Sequence, residues 1–227
     1  MTAARSDAPG GPEDVDQSAA ATAALYTLLA RAFDNPDDRF HEAAEGGDLQ
    51  AEAVRYIDRS GLSVATPALR VEEDQQALSA RFNGLFTLGH AEYTDRTDGS
   101  LDADGPPVPL YECRYREATW EDVNRDLARA YDYYGLEIDD DRRDHHDHLR
   151  LELEFAAYLA RREAVGDEDA ARARRDFLER HLDPFTEGLL DRLTEVERGF
   201  YTAVATLARR VVTADRDALA EVPDESD

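Results

Sequence analysis

The residues best able to do chemistry lie in one run, Asp144 to Tyr158, reading DHHDHLRLELEFAAY. His145, Asp147, His148 and Glu152 bring imidazoles and carboxylates close together there. Around them Leu149, Leu151, Leu153, Phe155, Ala156, Tyr158, Leu159 and Ala160 make a helix apolar on nearly every side. Such a helix is buried in its domain. The spacing predicts a helix from Asp144 to Ala164, on which His145, His148 and Glu152 stand at i, i+3 and i+7 and share a face. Glu152 falls outside the polar strip of Arg150, Glu154 and Arg161. Three chemistries fit. Asp144 can cap the helix and Asp147 can face the positive end of its dipole, while His148 and Glu152 hydrogen-bond inside the fold. The same groups can line a recognition groove. They can also bind a metal through His145, His148 and Glu152, or serve a metal-dependent hydrolase through His145, His148 and Asp147, although no distant ligand set accompanies them.

A second constellation is Gly105-Pro106-Pro107-Val108-Pro109-Leu110-Tyr111-Glu112-Cys113. Its prolines fix an extended backbone. Leu110, Tyr111 and, further on, Tyr115 then offer apolar anchors, either as a rigid connector packed on the core or as one wall of a peptide groove. Cys113 is the only cysteine, which excludes an internal disulfide and a multi-cysteine zinc site. No histidine adjoins it in sequence, so it reads as a packing residue rather than a nucleophile. The chain has no Gly-rich phosphate loop of the P-loop or dinucleotide type and no Ser elbow.

The elements that must position these groups are helical almost throughout. Helices are expected over 18–33, over a shorter helix or pair ending at Gly61, and from Thr66-Pro67 to near Gly89, with Thr66 as N-cap and Pro67 at the first helical position. His90 to Pro109 reads as a long loop. Helix resumes over 119–134, with Gly135 as C-cap, then over 144–164, 168–181, 184–196 and 199–213. The expected fold is all-α, a single-domain bundle of eight or nine helices over 17–219, between disordered tails 1–16 and 220–227. Asp and Glu number 51 against 26 basic residues, all of them Arg, for a net charge of −25. A surface this acidic repels nucleic acid and anionic membranes. The acid is spread along the whole chain, the pattern of a halophilic cytoplasm, where salt screens self-repulsion. No apolar run is long enough to cross a membrane and no secretory leader is visible, so a cytoplasmic location is expected.

Three blocks carry a family resemblance. Pro109 to Glu117, PLYECRYRE, resembles a proline-Tyr-Glu-Ser segment, with Cys113 where Ser is commoner. Asp147-His148-Leu149 through Glu152-Leu153-Glu154-Phe155 resembles an Asp-His-Leu, Glu-Leu-Glu-Phe block. Phe177 to Phe185 is similar to a closing His-Leu-x-Pro-Trp segment, with Phe185 in place of Trp. In order and spacing these resemble the TorD/DmsD family of redox enzyme maturation proteins, which includes the NarJ-like chaperones. The resemblance implies a non-enzymatic, all-helical cytoplasmic chaperone. Such a protein binds the twin-arginine signal peptide, or another terminal segment, of a molybdopterin oxidoreductase of the DMSO reductase class. It holds the apoenzyme until the molybdenum cofactor is inserted and delays export. The cofactor belongs to the client; none is expected on this chain. The resemblance also puts Asp147 and His148 at the peptide site, with Tyr111 and Glu112 nearby and Glu152 beside them. Asp147 and Glu112 would take the cationic pair, and Leu110, Tyr111 and Tyr115 the apolar stretch. The long His90 to Pro109 connection is compatible with either a monomer or a domain-swapped dimer.

Overall fold

A computed structural model describes residues 15–88, 91–92, 102–103, 105–138 and 145–221. Asp16 begins the first helix, α1 (Gln17–Ala32), by accepting from the backbone of Ser18 and Ala19. Asp37 caps α2 (Asp38–Gly46) in the same way, and α3 (Asp48–Ser60) ends at Gly61, whose φ of 75° suits a residue without a Cβ. Then follow α4 (Gln75–Phe82), α5 (Trp120–Tyr133), α6 (Leu149–Ala164), α7 (Glu168–Phe177), α8 (Asp183–Val196) and α9 (Phe200–Ala220). The described residues are thus all-α, apart from a two-residue antiparallel pairing of Ala91–Glu92 with Asp102–Ala103. No described helix is long and apolar enough to cross a membrane.

The core is built around α6. Leu149, Leu153, Ala156, Ala157, Leu159 and Ala160 are all fully buried, as the near-continuous apolar surface of that helix requires. α1 lies along α6 and against α3, α7 packs on α6 and α9, and α8 pairs with α9. Buried alanines on α1, Ala19, Ala21, Ala23 and Ala30, permit that close approach.

Four boundaries differ from the sequence expectation. Helix does not start at Thr66-Pro67. Residues 62–74 run without regular structure, with Leu69 and Val71 buried and Arg70 and Glu72 exposed. That is the period of an extended chain lying on a core, and Gln50 holds it by accepting from the Leu69 backbone at 2.6 Å. The helix begins instead where Asp74 caps Ala77. Helix α6 starts at Leu149 rather than Asp144, because His148 is its N-cap and its Nδ1 accepts from Arg150 N at 3.2 Å. Asp144 lies outside the described residues. The 168–181 helix does not stop before Pro184. A π-helical turn, Leu178–Leu182, carries it directly into α8, whose first turn holds Pro184 without needing its missing N–H. Last, α9 continues past Thr213 to Ala220, since Asp215 and Leu219 extend its buried face. Of the expected tails, residues 1–14 and 222–227 lie outside the described residues, while Asp16 is fixed by its capping role and by a bond from its N–H to the Ala164 carbonyl.

Candidate functional site

The proline-rich segment and the approach to α6 lie side by side. Leu149 N donates to the Leu110 carbonyl at 2.9 Å, Glu112 N donates to the Asp147 carbonyl at 2.9 Å, and Tyr111 and His148 form an antiparallel bridge. The Asp147 side chain adds a further tie, accepting from Cys113 N at 3.2 Å. The third block joins at Glu112, whose Oε2 lies 3.0 Å from His181 Nδ1 in the π-helical turn after α7. The three segments that carry the sequence resemblance therefore meet at one place. Helix α8 braces them. Arg192 donates to the Pro107 carbonyl, and the Tyr115 hydroxyl donates to the Pro109 carbonyl at 2.7 Å. The Tyr115 ring lies 5.3 Å from that of Phe185 and against Gly188, where a Cβ would come within 2.9 Å of it.

Burial divides the expected site residues into two sets. Asp147, Glu112 and Glu152 are 0% exposed and Leu110 is 2% exposed. These carboxylates underlie the site, so in this conformation neither Asp147 nor Glu112 presents an oxygen to an incoming cation. Tyr115, expected as a groove anchor, acts as the strut just described. Tyr111 and His148 are half-buried and reach the surface, and His145 beside them is exposed. The turn from His145 to His148 is closed by His148 N donating to the His145 carbonyl. The helical spacing that would have aligned His145, His148 and Glu152 on one face is therefore absent.

The buried set carries an excess of negative charge. Glu112 is held by Arg116 and His181, and His181 Nε2 lies 3.3 Å from Asp126. Asp147 Oδ1 and both Glu152 oxygens meet no hydrogen-bond partner among the described residues. Burial, reinforced by the charges of Glu112 and Asp147, pushes the Glu152 carboxyl well above the usual carboxylate range. The shift favours the protonated form of Glu152 beside Glu112. Burial likewise pushes up the Tyr131 hydroxyl, which donates to the His146 carbonyl at 3.1 Å. Burial and Asp147 push the Cys113 thiol up to about 12, which leaves it inert as a nucleophile. Among the described residues no group of three or more His, Cys, Asp or Glu side chains is placed to hold a metal.

Above this layer a cleft of about 350 Å³ opens between the end of α1, the π-helical turn Asn83–Thr87 after α4, and the motif junction. Phe33, Phe86, Leu110, Tyr111, His148 and Arg150 are among the residues lining it. Arg150 also lines a neighbouring cleft of about 400 Å³ with Tyr131, Phe155 and Tyr158. Sequence reasoning missed four contributors. His181 stands in a block valued for its likeness but not for its chemistry. Phe33 and Phe86 lie within predicted helices and carried no site signal of their own. Trp120 opens α5, half exposed at 49%, with its ring 5.4 Å from that of His145. A lone Trp at a helix start was the available signal for it.

The family model described as nitrate reductase delta subunit matches residues 16–191 of this chain. A chlorate reductase assembly chaperone protein of Ideonella dechloratans is 30% identical over 213 residues, covering 91% of this chain and 93% of that one. A selenate reductase assembly chaperone protein of Thauera selenatis is 30% identical over 198 residues, with 83% and 93% covered. A perchlorate reductase assembly chaperone protein of Dechloromonas aromatica (strain RCB) is 27% identical over 212 residues, with 89% and 91% covered. The matched stretch contains the proline segment, the Asp147-His148 block and the His181 block that meet at Glu112, and the chain belongs to the nitrate reductase delta subunit family.

Proposed function

We propose that this chain is a non-enzymatic assembly chaperone for a molybdopterin-dependent reductase. It acts in the cytoplasm, binding a terminal segment of the catalytic subunit, with a twin-arginine signal peptide as the expected form, until the client's cofactor is in place. The observation that carries the reading is that three relatives matched over most of both chains are each named for the assembly of a reductase. The geometry supports it. The cleft of about 350 Å³ places Phe33, Phe86 and Tyr111 beside polar Asn35, Asn83 and Arg150, a lining that a peptide segment with apolar and polar side chains can use. At its base Glu112 is engaged by Arg116 and His181, and Asp147 accepts from Cys113 N. A net charge of −25 attracts a cationic segment and speeds encounter, most strongly at low salt.

The test is affinity capture from native extract with the tagged full-length chain at high salt, followed by mass spectrometry. A molybdopterin oxidoreductase catalytic subunit lacking its cofactor is the expected catch. Recovery of only the mature, cofactor-loaded enzyme, or of no oxidoreductase at all, would overturn the reading.

A further inference from the structure

Resting on that reading, we infer that the arginine side chains of the client segment are received by the exposed rings of Trp120 and His145, with half-buried Tyr111 beside them, and not by the carboxylates beneath.

The rings form a series across the surface from the start of α5 to the start of α6. Trp120 and His145 are 5.4 Å apart at 86°, His145 and Tyr111 are 6.0 Å apart at 57°, and Tyr111 and His148 are 5.1 Å apart at 85°. Edge-to-face packing of this kind uses the edge of one ring and leaves faces of others open. Trp120 is 49% exposed and His145 is exposed. A guanidinium is planar, always charged and weakly hydrated, so it stacks on such faces, and Trp offers the strongest attraction.

The charge around the rings chooses the occupant. Exposed Glu117 and Glu121 flank Trp120 along the chain, and Glu121 and Asp122 make the first turn of α5 acidic. On the same stretch Arg116 pairs with Glu112 and Arg125 with Asp122, while exposed Arg114 is a single cation among these acids. The flanking acids thus supply attraction and the rings supply the seat. The alternative seat is closed, because Asp147, Glu112 and Glu152 are 0% exposed. An arginine reaching them would have to part the backbone ties between 110–113 and 147–149.

The chain has a single tryptophan, so its intrinsic fluorescence reports on Trp120 alone. The experiment titrates the full-length protein with a synthetic peptide bearing Arg-Arg followed by an apolar stretch. Lys-Lys and Gln-Gln versions of the same peptide are run beside it, with calorimetry in parallel. The expected result is a saturable change in Trp120 emission with Arg-Arg and a weaker one with Lys-Lys. By calorimetry, Trp120→Ala should weaken Arg-Arg binding about three- to tenfold, while Trp120→Phe recovers part of the loss. Calorimetric binding with unchanged emission would overturn the proposal and leave the chaperone reading standing, as would equal affinity for Gln-Gln, which would mean apolar anchoring only. Absence of peptide binding by a protein that still captures a reductase would also overturn it. Absence of both would remove the chaperone reading itself.

Discussion

Two buried ionic clusters in this molecule use the same side-chain types but counter their carboxylates differently. Beneath α9, Arg174 and Asp215 are 3% and 2% exposed, and the guanidinium lies 3.3 Å from Asp215 and 2.8 Å from Glu163. These pairs are close in charge but fall short of hydrogen-bond alignment. The Tyr26 hydroxyl completes the cluster by donating to Asp215 at 2.9 Å. Four helices, α1, α6, α7 and α9, are tied by it, and each carboxylate there faces the arginine. Under the motif junction three carboxylates are fully buried, only Glu112 is held by a cation, and three oxygens stay unpartnered. The first arrangement is a strut that stability alone explains. The second is costlier to hold. It lies directly below the surface to which the family likeness and the ring series point, where it fixes the backbone that presents Tyr111 and His148.

That contrast predicts different consequences of substitution. The largest is expected at the strut. Arg174→Ala leaves Asp215 and Tyr26 buried without the cation, and should cost about 3–5 kcal/mol in chemical denaturation. Peptide affinity measured below the melting temperature should be unchanged. Replacing the pair together, Arg174→Met with Asp215→Leu, should recover most of the loss, since well-packed apolar groups often match a buried ion pair. If the single variant loses under about 1 kcal/mol, the strut is no stronger than a surface pair and the contrast fails. A smaller effect is expected at Gly188. A Cβ there meets the Tyr115 ring at 2.9 Å, so Gly188→Ala should push Tyr115 off Phe185 and cost about 1–3 kcal/mol. Unlike Arg174→Ala, it should also weaken peptide binding, because Tyr115 holds the Pro109 carbonyl that sets the path of the proline segment.

How much of this was legible in sequence follows from what sequence patterns encode. Helical periodicity gave the bundle, and the all-round apolar surface of α6 gave its central position, because burial of a helix is written in its own residues. Thr119 and Gly135 are local signals at the two ends of α5, whereas Asp16, the cap of α1, falls in the expected tail. The start of α4 was misread because Thr66-Pro67 is a good helix opening, while the competing signal, alternation at Leu69 and Val71, is short and weak. The start of α6 was misread for the opposite reason, since Asp144 is a better cap by type than His148. What sequence could not supply was depth. Asp, Glu and His are mostly surface residues, so Glu112 and Asp147 are expected to face a groove, while for Glu152 a buried place and a groove wall both stay open. Their burial depends on three segments far apart in the chain closing over them. The adjacency of Trp120 to His145 is likewise a tertiary fact.

The smallest expected effect is also the one that most sharply separates the two clusters. Glu152 is held well above its ordinary value of 4.5, chiefly by burial and then by Glu112 and Asp147. Its proton is therefore retained in the folded protein and released on unfolding once pH exceeds the unfolded value. Stability from this group is complete below about pH 4.5 and falls as pH rises toward the folded value. Glu152→Gln keeps the shape of the neutral acid and removes the proton, so the variant should lose this part of the decline with pH. It should match wild type in acid and gain on it as pH rises above 4.5. Asp215 is also raised, by burial against the opposing pull of Arg174, and is expected to contribute a decline of the same sign that survives in the Glu152 variant. Denaturation midpoints of both proteins across this range check the point. Parallel curves would mean that Glu152 is ionised in the folded state and that the junction holds a third negative charge, with no cation paired to it among the described residues.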